Sequence, residues 1–333
     1  MQYLLVPFIL VGCLFLASSI NVDENPWKHG PEYTYGVQLN MVTGMNEGHH
    51  EYLGTRLITK MKCRPKEPDS LSCRYLDAKF TRLLPKDFDV LGAEPAKNAT
   101  YVPFGIGPER FEVKFNERGI ESFLVPRSIA PWSVDMFKLI ASQLSVGTNL
   151  GRKEETFQIM ENFTMGQCET RFKVIRRDDE DQNGLRKARF KLQFLPELGV
   201  PSGQILEVEK KRNLRNCSPR AKYFFGTRFT YGLVPYTAID HLTSSFSRIT
   251  LSESEFTSET VNRCDIHDEE DREKIGEVLD HIKIFLESIE PAKEELKEVP
   301  SPVTVGLIVK GPIKELEHYE PPPTSKTLGK PAT

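Results

Sequence analysis

The residues with the types and spacing for chemistry begin with a half-formed calcium loop. Asp179-Glu180-Asp181-Gln182-Asn183-Gly184 matches the first half of D-x-[DN]-x-[DN]-G, whose carboxylate and amide oxygens suit a hard cation. The second half fails, because the bidentate glutamate position falls on Phe190. Strand-like runs flank the segment and Asn-Gly is a preferred hairpin centre, so it reads as a solvated turn and no metal is assigned. His49-His50-Glu51 lacks the second histidine of a metalloprotease helix and reads as a polar turn. Gly105 and Gly107 lack the third glycine and following helix of a dinucleotide loop. There is no G-x-S-x-G elbow, and no cysteine stands in a protease context. The sequence argues against an enzyme and offers no cofactor site.

Other residues point to modification and recognition. Asn98-Ala99-Thr100, Asn162-Phe163-Thr164 and Asn216-Cys217-Ser218 are glycosylation sequons, the third crowded by Cys217 and by Pro219. Lys210-Lys211-Arg212-Asn213-Leu214-Arg215 is a basic run. Lys210, Lys211, Arg212 and Arg215 could meet an acidic receptor module, an anionic headgroup or a heparin-like polymer; a solvated strand end is the plain alternative. The run lacks the interleaved aromatics of a single-strand nucleic-acid groove, so no nucleic acid is expected as a partner.

The elements that must position these residues are mostly strands. Tyr33, Tyr35, Val37, Leu39 and Met41 alternate with Thr34, Gly36, Gln38 and Asn40, giving one apolar face. Phe190, Leu192 and Phe194 repeat the pattern. Phe111, Val113 and Phe115 lead through Asn116-Glu117-Arg118-Gly119 into Ile120–Val125, a hairpin. Further strands are expected at Leu57–Lys62, Tyr75–Leu83, Phe172–Arg176, Ile205–Lys210, Tyr223–Thr230 and Arg248–Ser252. Such strands imply a sandwich or barrel. One helix interrupts them, capped by Ser133 and ended by Gly147, with Phe137, Ile140, Ala141 and Leu144 on one face. Met136 and Leu139 widen that stripe until the helix needs cover on several sides, as inside a barrel.

Beyond Cys264 the pattern changes. Ile275, Val278, Leu279, Ile282, Phe285, Leu286 and Ile289 recur at helical spacing in an acidic background, predicting an amphipathic helix within 265–299. Its apolar face must lie on the barrel, a partner or lipid. From Pro300 to 333 a proline-rich tail is expected to be disordered.

The compartment follows from Leu4–Leu16, an apolar run followed by Ala17-Ser18-Ser19. It is too short to span a bilayer and predicts a cleaved signal peptide over 1–19, hence a secreted protein with no membrane span. Of six cysteines, Cys13 would leave with it. Cys63 and Cys73 flank a loop between strand-like runs and are paired first; Cys168 with Cys217 comes next, leaving Cys264 over, although spacing does not fix connectivity. The net charge of −3 gives the whole chain no attraction to nucleic acid.

Several segments resemble one family. Asn25-Pro26-Trp27-Lys28-His29-Gly30-Pro31-Glu32-Tyr33-Thr34-Tyr35 resembles the W-x-x-G-x-E-Y-x-Y opening of vitellogenins, which belong with the large lipid transfer proteins. Pro131-Trp132-Ser133-Val134 through Ile140-Ala141-Ser142-Gln143-Leu144 resembles the helix of that family's N-terminal barrel. Met165-Gly166-Gln167-Cys168-Glu169-Thr170 and Asn213-Leu214-Arg215-Asn216-Cys217 resemble the segments around a family disulfide. The likeness runs from Trp27 to Val261. It implies an antiparallel β-barrel around a central helix over 20–264, lipid transport as a yolk precursor, and a barrel that recognises a receptor. The sequence departs from the family by stopping where a helical domain should begin.

Together these expectations describe a secreted, glycosylated vitellogenin-like module that recognises a cell-surface receptor or anionic polymer. The alternatives are a storage protein, or a small carrier with lipid in the barrel or under a helix facing it with Ile275, Leu279, Ile282, Phe285 and Leu286.

Overall fold

The structure, a computed structural model, describes residues 26–46, 52–151, 154–178, 191–194, 197–199, 202–218, 239–268 and 270–308. The expected signal peptide, the turn at His49-His50-Glu51, the loop 179–184 with Phe190, the strand Tyr223–Thr230 and the tail from 309 lie outside them.

The strands are β1 (Pro31–Met45), β2 (Tyr52–Lys66), β3 (Ser70–Leu83), β4 (Val102–Pro103), β5 (Phe111–Asn116), β6 (Gly119–Pro126), β7 (Thr156–Phe163), β8 (Gly166–Asp178), β9 (Gln204–Ser218), β10 (Ile239–Leu251), β11 (Phe256–His267), β12 (Lys274–Pro291) and β13 (Pro302–Gly306). They form one antiparallel sheet in the order β13-β6-β5-β3-β2-β1-β12-β11-β10-β9-β8-β7, with β4 beside β3. Alternation sets which side faces in. Tyr33, Tyr35, Val37, Leu39 and Met41 of β1 are all in the core.

Helix α1 (Pro131–Ala141) lies within the curve of this sheet, and every residue from Ser133 to Ala141 is buried. Phe137 stacks on Phe111 of β5, ring centroids 4.3 Å apart, and meets Tyr75 of β3 at 5.3 Å. A 3-10 turn, Ser142–Leu144, follows, and there Gln143 Oε1 accepts a hydrogen bond from Thr260 of β11 at 2.7 Å. Strands from opposite parts of the sheet thus meet one helix, which requires the sheet to curl around it. Two expectations about α1 are corrected. Ala130 is the N-cap with no side-chain hydrogen bond, and Pro131 starts the helix with its preset φ, so Ser133 is already inside the first turn. The helix also ends before Gly147.

The sheet is not closed into a barrel, because β7 and β13 are edges with no ladder between them. Residues trailing the helix fill the gap instead. Gly147, at φ +87°, runs so close to β7 that a Cβ would fall 2.5 Å from Glu161 Oε2, a place only glycine suits. Asn162 N–H of β7 also donates to Arg118 O at the β5–β6 turn, 2.8 Å away.

The largest correction is at 265–299. Residues 274–291 form β12, paired with β1 on one side and β11 on the other, so no amphipathic helix exists there and the sheet extends well past 264. Five of its residues (Ile275, Val278, Ile282, Ile284, Ile289) are β-branched, which favours the pleat. Gly276, Val278, Asp280, Ile282 and Ile284 alternate inward. Leu279 points outward yet is covered, since Val42, Leu83, Val90 and Ala93 form a second apolar cluster against it. Apolar residues on both faces hid the period of two. At 300–333, β13 pairs with β6, so the expected tail starts as a strand. Residues 191–194, expected as strand, are not; Leu192 N–H bonds Glu253 O at 2.7 Å.

The structure joins Cys63 to Cys73 and Cys168 to Cys217, and Cys264 is buried in the core.

Candidate functional site

Strand alternation divides the basic run between two faces. Lys210 and Arg212 share the parity of Leu206 and Val208 and point in; Lys211, Asn213 and Arg215 point out. Lys210 is 2 % exposed. Its Nζ donates to Ser145 O at 2.9 Å, Val146 O at 3.3 Å and Glu161 Oε2 at 3.2 Å. Arg212 Nε donates to Glu161 Oε1 at 2.6 Å, and its Nη1 to Ser245 and Ser247 Oγ at 3.0 and 2.8 Å. The guanidinium lies over the Phe163 ring at 4.3 Å. One buried carboxylate therefore serves two buried cations, and the cluster holds the gap-filling segment at 145–146 against β7 and β9. Burial pulls the Lys210 pKa down to about 8, against the pull of Glu161. Lys210 and Arg212 are thus removed from the expected receptor- or polyanion-binding surface, because both cations are engaged inside.

The outer face keeps a cationic row. Arg171 of β8 stands opposite Lys211 of β9, which stands opposite Phe246 of β10. Lys173, Arg171, Lys211 and Arg215 are exposed, and none has a carboxylate within 4.0 Å among the described residues. Phe246 is 39 % exposed beside them. At the edges, Arg177 and Arg248 pair with Glu207 and Glu209. Between Glu169 and Cys168, β9 carries three extra residues, Leu214–Asn216, which lift Arg215 and Asn216 outward beside the Cys168–Cys217 bridge.

The expected lipid-facing helix has no counterpart. Ile282 is core, Ile275 and Leu286 pack at its margin, Leu279 lies under the second cluster, and Phe285 is 37 % exposed on the outer face. Two cavities, one against Leu139 of α1 and one lined by Leu144, Val146 and Gly147 beyond it, are of water size. That is room for a few waters at most and not for an acyl chain. Among the described residues no group of three or more His, Cys, Asp or Glu could hold a metal.

The sequons differ in setting. Asn98 and Asn216 are exposed. Asn162 is half-buried, its Nδ2 donating to Ile120 O at 2.9 Å and Asn116 Oδ1 at 3.2 Å, and Thr164 is buried. A glycan on that nitrogen would cost one of the two bonds.

Glu161 is the residue sequence reasoning missed. Its signal was parity: in Thr156–Phe163 it shares a face with Phe157, Ile159 and Phe163.

Residues 27–292 match the family model described as the vitellogenin N-terminal domain. The chain is similar to a vitellogenin of Anthonomus grandis, 22 % identical over 331 residues that span 90 % of this chain and 18 % of that one. It is 24 % identical to vitellogenin-A1 of Aedes aegypti over 62 % of this chain and 10 % of that protein. The chain thus spans less than a fifth of these relatives. A solved structure described as lipid-protein interactions in lipovitellin shares the fold at a TM-score of 0.56 and 14 % identity, covering 92 % of this chain and 30 % of that one.

Proposed function

The chain belongs to the vitellogenin N-terminal domain family, and from that premise we propose that it is an exported, non-enzymatic module of a lipid-transport, yolk-precursor type that acts by surface recognition. The observation that carries this reading is the outward row Arg171, Lys173, Lys211 and Arg215, with Phe246 set among its charges. Cations in register on adjacent strands present a fixed spacing of charge to an anionic partner, and an exposed ring beside them adds apolar area. The partner is an acidic receptor module or a sulfated polymer at the cell surface. Lipid transport enters from the relatives and from the lipovitellin likeness. The packing of α1 favours a recognition role over carriage, since among the described residues the two cavities near it are of water size.

The pair Arg171→Glu and Lys211→Glu tests the reading on immobilised heparin. Binding should weaken by at least about tenfold at low salt, with a flatter dependence on salt concentration. Retention equal to that of the unaltered protein would remove the row from the account. Lys210 is unsuited to such a test, because reversing its charge would break the interior first.

A further inference from the structure

A second cationic group sits on the outer face of β2, β3 and β5, away from the row on β8 and β9. Arg64 stands opposite Ser72, and Lys62 opposite Arg74. Cys73 pairs with Phe111, so Arg110, one residue before, comes beside Arg74, and its Nη1 donates to Ser72 Oγ at 3.4 Å. Three guanidiniums are thereby gathered on adjacent strands. The neighbouring lysines are neutralised: Lys62 by Glu32, and Lys66 by Glu112 and Glu298. The arginines have no such direct pair, although the charges of Glu32 and Glu294 reach Arg64 and Arg110. Arg64, 7 % exposed, spends its Nη1 and Nη2 on the peptide oxygens of Glu294 and His29, 2.8 and 2.5 Å away. Arg74 and Arg110 have no carboxylate within 4.0 Å among the described residues, and Arg74 Nε is buried with no hydrogen-bond partner. Burial, then the charges of Arg74 and Arg64, push the Arg110 pKa below the guanidinium norm.

Like charges held together with a buried donor unused are poorly matched to water alone, and well matched to an oxyanion. A phosphate monoester offers two charges and three terminal oxygens to planar forks; a carboxylate offers one charge and two oxygens. The segment at 292–298 runs over this group, with Glu294 paired to Lys297 and Glu298 to Lys66, so the guanidiniums sit beneath a covering strap and a small soluble anion suits them better than a flat bilayer. We propose that Arg74 and Arg110, backed by Arg64, form a binding site for a soluble phosphate monoester. Glu294 competes with an incoming anion there: its carboxylate pairs with Lys297 at 2.9 Å and feels the field of Arg74 and Arg110.

Titration calorimetry of the full chain at fixed ionic strength tests this, with inorganic phosphate and O-phosphoserine as the probes. Saturable binding is expected for both, weaker by at least about tenfold in the double variant Arg74→Gln, Arg110→Gln, which removes two charged donors. Glu294→Gln should bind phosphate more tightly, and it carries the test if the double variant does not fold. Heats no larger than those of chloride, or equal affinity in the unaltered protein and the variants, would overturn the site. Vesicles containing phosphatidic acid should show no sedimentation that depends on Arg74. Sedimentation that does depend on it would overturn the choice of a soluble ligand.

Discussion

Glu161→Ala should destabilise the protein by about 3–5 kcal/mol, the loss that follows when one partner of a buried ion pair is removed. The carboxylate is 1 % exposed and bonds Lys210 and Arg212 at once, so its loss strands two cations where water does not reach. The urea midpoint measures the loss; a fall of less than about 1 kcal/mol would show that the cluster relaxes to solvent. A compensated triple variant, Glu161→Leu with Lys210→Met and Arg212→Leu, should recover most of it, because apolar isosteres of buried ion groups are often neutral or better. The same site sets a pH response. Folding lowers the Lys210 pKa to about 8, below the unfolded value of about 10.4. Between those values the unfolded chain binds more protons, so stability rises with pH across about 8 to 10.4. Compared with Lys210→Met, the unaltered protein should gain stability from about pH 7.5 to about pH 9.5. Parallel behaviour of the two proteins would place the lysine in contact with water.

Phe137→Ala should cost a similar amount, about 3–5 kcal/mol. Its ring is fully buried, stacked on Phe111 and set against Tyr75, and so joins the helix to β3 and β5. Removing it leaves a cavity between rigid strands that cannot collapse inward, because the 3-10 turn that follows α1 is tied to β11 through Gln143 and Thr260. Thermal unfolding and near-ultraviolet dichroism are the measurements. A loss below about 1 kcal/mol would mean that the helix shifts to refill the space, and that the enclosure is looser than the stacking suggests.

What could be read from the residues depended on whether the outer face of a strand was polar. In β1 the outward residues near Thr34 and Gln38 are polar, and the alternation was plain. In β12 the outward Leu279 packs against Val42 and Leu83, so both faces are apolar and a helix fitted equally well. The surroundings of a strand chose between the two periods, and they lie more than a hundred residues away in the chain. The basic run failed for the opposite reason. Four polar residues in succession, Lys210 to Asn213, looked like a wet strand end, yet parity with Val208 already sent Lys210 and Arg212 inward, and Glu161 sat on the matching face of β7. That the sheet stays open, where a closed barrel was expected, was not legible at all, because edge pairing between β7 and β13 depends on long-range register that no local pattern encodes. Both disulfides were read correctly, each pair lying opposite in register, Cys63 with Cys73 and Cys168 with Cys217.

The pairing of β1 with β12 has a consequence for synthesis. Met45 lies opposite Gly276 and Pro31 opposite Pro291, so the middle of the sheet joins the earliest and latest long strands. At roughly 5–20 residues per second, a ribosome needs some tens of seconds to deliver β12 after β1 has emerged. For that interval β1 can fold only onto β2 and β3, with its other edge bare and Tyr33, Leu39 and Met41 exposed on one face. The nascent chain thus presents an aggregation-prone strand edge until translation passes residue 291, and chaperone demand should be highest in that window.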